Sequence, residues 1–105
     1  MAVVYESKIK NSTVDRLFEA ILRLKDIDEC YRFFEDLCTI NEIKSLAQRL
    51  EVAEMLRNGE TYNEIAERTG ASTATISRVN RCLEYGAGGY QLILDRLKSG
   101  QDGDA

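Results

Sequence analysis

Apolar positions recur along this chain at helical rather than strand spacing. Val14, Leu17, Phe18, Ile21 and Leu22 follow one another in steps of three and one, as do Ile27, Cys30, Tyr31, Phe34, Leu37 and Cys38. The same period carries Ile43, Leu46, Ala47, Leu50, Ala53 and Leu56, and later Tyr90, Ile93, Leu94 and Leu97. Each stripe turns one face of a helix toward a core. Boundary residues punctuate the stripes. Ser12 and Asp15 form an S-x-x-D start, Asp26 or Asp28 opens the second helix, and Thr39 with Glu42 makes a capping box before the third. Gly59 ends that helix by accepting a conformation other residues resist. Thr61 and Glu64 repeat the capping box, Gly70 stops the fourth helix, and Ser72 caps a fifth that reaches Tyr85. The glycine-rich segment 86–89 reads as a flexible joint before the last helix. The pattern predicts an all-α chain of six helices, with a flexible amino-terminal arm over 1–11, a helical domain over 12–98 and a disordered acidic tail over 99–105.

Residues 61–83 carry the most information. They predict a helix-turn-helix over about 62–83, with Ile65, Ala66, Ala71, Ile76 and Val79 turned inward. Two helices that cross closely need a small residue at the contact and a φ > 0 residue in the turn. Ala66 and Gly70 meet those needs. The second helix then turns Ser72, Thr73, Ala74, Thr75, Ser77 and Arg78 outward, all short or cationic. Short side chains let a helix approach base edges in a DNA major groove. Such helix pairs also occur in proteins that never meet nucleic acid, and charge placement tells against that blander reading. Arg68, Arg78 and Arg81 are the only charges in 68–83, so this window is +3 within a chain of −4, and the remainder is −7. Clustered cations suit phosphate contacts, which set affinity and register.

Composition narrows the field further. A chain of 105 residues supports one domain with a modest core. With 44% hydrophobic and 30% charged residues and no proline, it is an ordinary helical composition. An acidic pI near 4.9 counts against generic nucleic-acid binding, and fits a bland acidic surface as well as one that repels DNA except through one local face. Cys30, Cys38 and Cys82 lack Cys-x-x-Cys spacing and read as buried thiols rather than a disulfide. Histidine is absent, which removes His-based acid–base chemistry, Ser-His-Asp and Cys-His nucleophile sets, and His zinc sites. No Gly-rich phosphate loop is present either, and the expectation is not an enzyme. No apolar run nears the roughly 18 residues of a membrane span, so no membrane partner is expected, and without a signal-peptide pattern the expected location is cytoplasmic. Leu24, Tyr31, Phe33 and Leu37 widen the first two apolar stripes beyond one inward face, which predicts a dimer interface. Dimeric helix-turn-helix proteins reach successive grooves about 34 Å apart.

These residues carry a family resemblance. The T-x-x-E start at Thr39, Arg49 within QRLEVAEML, Asn58-Gly59-Glu60, and the G-A-x-x-A-T-I-S-R run from Gly70 to Arg78 resemble the Trp repressor superfamily. The whole chain looks most like its YerC/YecD branch. That resemblance implies a Trp-repressor-like fold and an intertwined homodimer whose amino-terminal helices interlock, with a helix-turn-helix head at either end. It also implies a sequence-specific transcriptional regulator of double-stranded DNA, acting as a repressor. Thr73, Ala74 and Ser77 match base-facing positions. Arg78, Asn80 and Arg81 fit backbone phosphate, and Tyr62, Asn63 and Arg68 flank the first helix for the same purpose. First-helix positions that relatives use for extra base contact are here Glu64 and Ala66, which implies a different operator. The family's tryptophan pocket maps onto Thr39, Arg49, Arg78, Val79 and Cys82, where two guanidinium planes could sandwich an aromatic ring. Val79 stands where the repressor has glycine and Cys82 where it has serine. The expected cofactor is therefore none, with tryptophan or another aromatic effector disfavoured. Two alternatives stay open: an effector-responsive regulator, and a helical interaction module that has lost DNA binding.

Overall fold

The computed structural model of the chain describes residues 5–104, with side chains described from 5 to 100. Met1–Val4 of the expected arm and Ala105 lie outside the described residues. Six helices and no strand are found among those described: α1 (Ser12–Ile21), α2 (Ile27–Leu37), α3 (Ile40–Arg57), α4 (Tyr62–Thr69), α5 (Thr73–Tyr85) and α6 (Gly89–Asp104). The expected all-α order holds.

Most boundaries follow the capping chemistry. Asp26 caps α2 by accepting from the Glu29 N–H at 2.9 Å. Thr61 and Glu64 complete a reciprocal capping box at α4, and Ser72 caps α5 through the Thr75 N–H at 3.1 Å. The first cap corrects the sequence reading. Asn11, not Ser12, accepts from the Val14 N–H at 2.8 Å, because its extended backbone at φ −159° places the amide oxygen over the first turn. Asp15 serves there as an ion partner of Lys10 at 2.8 Å. At the far end of α3, Gly59 takes φ 83°, and Gly59 and Glu60 donate to the Leu56 and Met55 carbonyls at 3.1 Å. That is a Schellman closure, which satisfies carbonyls the helix would otherwise leave open.

By its contacts the chain divides into two units, 1–39 and 40–105. In the first unit neither α1 nor α2 buries a residue. Phe33 and Phe34 pack edge to face at 5.7 Å, while Leu22, Ile27 and Tyr31 are 82%, 75% and 63% exposed. Cys30 is exposed and Cys38 only half-buried, and Cys82 of the second unit is exposed as well. The expectation of buried thiols is corrected on that account. All three thiols are free.

The second unit holds the core: Val52, Ala53, Met55, Ile65, Ala71, Ile76, Val79 and Leu94. Helix α3 departs from its expected face. Its carboxy-terminal half is enclosed by α4, α5 and α6 and buries Val52 and Met55 beside Ala53, whereas Leu46 remains exposed. A helix covered from several sides buries residues outside a single stripe. Arg57 ties α3 to α6 by an ion pair to Asp95 at 2.7 Å and a bond to the Gln91 carbonyl at 3.4 Å. Helix α6 runs on to Asp104. No proline interrupts it, and a glycine in a helix costs only about 1 kcal/mol.

The glycines of the joint between α5 and α6 meet specific geometric demands. A Cβ at Gly86 would collide with the Cys82 carbonyl oxygen and sit 3.0 Å from the Cys82 Cα. Gly88 takes φ 84°, and its carbonyl accepts the Leu92 N–H at 3.0 Å to start α6. Two glycines are thus required for different reasons. At Gly70, φ 74° is the constraint and nothing lies within 4 Å of a Cβ position; at Gly86 the constraint is contact. Gly70→Ala and Gly86→Ala should each lower unfolding free energy by about 1–2 kcal/mol. Asparagine, which tolerates the left-handed region, should recover most of the loss at 70 and none at 86. Urea melts of the four variants check this, and equal recovery at both positions would refute it.

Candidate nucleic-acid interface

The second unit positions the helix-turn-helix through one division of α5. Ile76 and Val79 are 0% and 1% exposed, and Leu83 packs half-buried on the same core. These positions are spaced three and four apart, so the opposite face of the helix must point away from the core. On that face Thr73, Ala74, Arg78 and Arg81 are exposed and Ser77 is half-buried. Asn80 lies at the boundary, half-buried beside Val79. Neither Arg78 nor Arg81 forms an ion pair among the described residues. The outward surface is therefore a strip of small side chains with two available cations on its carboxy-terminal side.

Helix α4 is organised differently. Ile65 is fully buried and Ala66 half-buried, so Ala66 acts as the close-approach residue expected of it. It belongs to the core contact, not to a DNA-facing surface. The Glu64 carboxylate accepts the Thr61 N–H at 3.1 Å, while the Glu64 N–H donates to the Thr61 hydroxyl at 3.2 Å. The hydrogen bond from the Thr61 backbone holds the Glu64 carboxyl below its usual range, aided by the Thr61 hydroxyl and the Arg68 charge and opposed by desolvation. Tyr62 and Asn63 are exposed in the first turn. Arg68 is exposed too, but its guanidinium is committed to Glu60 at 2.7 Å.

Two residues that the sequence reading passed over, Thr69 and Gln48, help the Ser72 cap to hold the turn. The Thr69 hydroxyl donates to the Ile65 carbonyl at 2.8 Å and accepts the Ala71 N–H at 3.1 Å. Gln48, on α3, donates to the Thr69 carbonyl at 3.1 Å. Ser72 donates to the Thr75 hydroxyl at 3.1 Å as well as capping α5. The ST-type signal at Thr69 was legible locally, but Gln48 lies 21 residues away and carries no sequence pattern.

The candidate effector residues are dispersed in character. Arg49 is half-buried, Arg78 and Cys82 are exposed, and Val79 is enclosed in the core. Thr39 precedes α3 in the first unit and is exposed. A cleft beside the turn is lined by Lys44, Gln48, Glu51, Glu54 and Thr69 among others, and includes none of Arg49, Arg78, Val79 or Cys82.

A core-anchored second helix, a left-handed glycine turn and an outward strip of small and cationic residues define a helix-turn-helix protein. Comparison with known proteins makes the class specific. The profile of the Trp repressor protein family matches residues 12–98, and the chain belongs to that family, a regulatory, DNA-binding one. It is 66% identical to the uncharacterized protein YerC of Bacillus subtilis (strain 168) over 91 residues, which is 87% of this chain and 88% of YerC. A crystal structure of a TrpR-like protein from Eubacterium eligens ATCC 27750 is 65% identical, with a TM-score of 0.84 over 87% of this chain and 94% of that one. A candidate Trp repressor from Staphylococcus aureus is 55% identical, also with a TM-score of 0.84, over 87% and 91% of the two chains. No helix among the described residues is long and apolar enough to cross a membrane.

The capping box has a pH signature. Because the folded carboxyl of Glu64 titrates below its unfolded value of about 4.5, its contribution is present above that value and is lost as pH falls through the folded one. Glu64→Gln keeps an acceptor for the Thr61 N–H but removes the titration. Thermal melts between about pH 3 and 6 should show a shallower acid-side decline for this variant than for the wild type. Parallel declines would contradict the role given to Glu64.

Proposed function

We propose that the protein is a homodimeric, sequence-specific DNA-binding transcriptional regulator, acting as a repressor, that lays α5 in the major groove. One observation carries this reading: the outward face of α5, where Thr73, Ala74 and Ser77 are followed by Arg78 and Arg81, neither ion-paired among the described residues, on a helix anchored by Ile76 and Val79. Thr73 and Ala74 bring methyl groups suited to a thymine methyl, and Ser77 brings a hydroxyl able to meet several base edges. Arg78 and Arg81 take phosphate and set register. Asn80, Tyr62 and Asn63 supply further polar contacts to the backbone. Arg68, held by Glu60, contributes little.

The dimer is supported by the first unit. Leu22, Ile27 and Tyr31 are more than half exposed, and α1 and α2 bury nothing within the chain. Apolar stripes of this extent mark an interaction surface, and a second copy of the same helices is the occupant that also doubles the DNA contacts. An aromatic effector at Thr39, Arg49, Arg78, Val79 and Cys82 is disfavoured because Val79 already fills core space beside Arg78. The acidic balance of the chain would suit a protein-interaction module, but the two cations on α5 without ion partners among the described residues favour DNA.

Selection of duplexes from a random library should yield a preferred, two-fold symmetric site. Replacing Arg78 and Arg81 with alanine should weaken binding across sequences and flatten its salt dependence, by about 0.9 in log–log slope for each lost phosphate contact. Ser77→Ala should instead change which sequences are selected. A pool without enrichment would rule out the sequence-specific reading. Sedimentation equilibrium should give twice the chain mass of 11.9 kDa, and Tyr31→Glu should shift it to one. A wild-type monomer at micromolar concentration would remove the dimer.

A further inference from the structure

Glu60 and Arg68 stand eight residues apart and are joined at 2.7 Å, one of the shortest ion pairs in the molecule. Their exposures differ sharply, at 21% for the Glu60 side chain and 64% for Arg68. The acid is held in place from both sides. Its own N–H donates to the Met55 carbonyl in the closure of α3, and the next residue, Thr61, is fixed by the capping box of α4. A second carboxylate, Glu64, lies close enough for Arg68 to act on its titration. With Glu67 beside Arg68 as well, three acids and one base give residues 60–68 a net charge of −2, whereas Arg78 and Arg81 on α5 have no ion partner among the described residues.

We propose that Glu60 is a positioning residue that withholds Arg68 from the DNA backbone, so that α4 adds no cationic phosphate contact and the salt-dependent part of binding comes from α5. The proposal rests on the DNA-binding reading above. Its physical basis is the asymmetry of the pair. For Arg68 to reach a phosphate, the mostly covered Glu60 carboxylate must lose its partner, which costs more than breaking a pair open to water on both sides. It would also leave three uncompensated acids beside a polyanion. Neutralising Glu60 removes the first obstacle and lessens the second.

The test measures fluorescence anisotropy with an arbitrary duplex and a library-selected duplex, over about 50 to 200 mM salt. Glu60→Gln should tighten both duplexes by up to about eightfold per protomer at 0.1 M salt and steepen the log–log salt slope by up to about 0.9, the effect of one added phosphate contact. Arg68→Ala should leave the wild-type slope unchanged, although Arg78→Ala lowers it. The double variant E60Q/R68A should return to the wild-type slope. A pair that only braces the fold would lower the melting temperature of E60Q and leave the slope unmoved, which overturns the proposal. A slope lowered by Arg68→Ala as much as by Arg78→Ala overturns it too. Wild-type protein that binds while E60Q merely matches it defeats this inference alone. Wild-type protein that binds neither duplex at the lowest salt defeats the DNA-binding reading along with it.

Discussion

The burial of Ile76 and Val79 is the constraint on which the rest of the second unit depends. Each apolar side chain taken from water contributes roughly 1.5–3 kcal/mol, and two on one α-helical face leave α5 little choice of rotation about its axis. Every outward residue is then assigned by period alone. Thr73, Ala74, Ser77, Arg78 and Arg81 share a face because Ile76, Val79 and Leu83 share the other. The turn before it is pinned from three directions: by the left-handed Gly70, by the Thr69 hydroxyl bridging Ile65 and Ala71, and by Gln48 reaching from α3.

Electrostatics divides the two helices of the motif into different tasks. Helix α4 is rich in satisfied charge, with Glu64 spent on its own amino terminus and Arg68 on Glu60. Helix α5 has no acid in its first turn and two arginines without ion partners among the described residues. In an acidic chain that contrast concentrates favourable potential on one small surface. Membership of the Trp repressor family gives this surface its biological setting.

The two units differ just as strongly in how they satisfy their apolar residues. All eight residues buried among those described belong to the second unit, while the stripes of α1 and α2 stay accessible in a single chain. A short helical hairpin has too little volume to hide such side chains by itself. The same shortage leaves Cys30 exposed despite its place in an apolar stripe.

Local chemistry made much of this legible beforehand. Helix count, the Thr61–Glu64 box, the Ser72 cap and the Gly70 turn each depend on residues within four positions of one another, and such interactions are written directly into the order of the chain. The inward set Ile65, Ala71, Ile76 and Val79 followed from period for the same reason. Tertiary structure decided what sequence separation hides. It chose Asn11 over Ser12 by backbone direction, buried Val52 and Met55 because α3 is covered from several sides, and joined Arg57 to Asp95 across 38 positions. It also brought Arg68 within 2.7 Å of Glu60, eight positions away. A charge's availability depends on which opposite charge lies within a few ångströms in space, and that distance is set only when the helices pack.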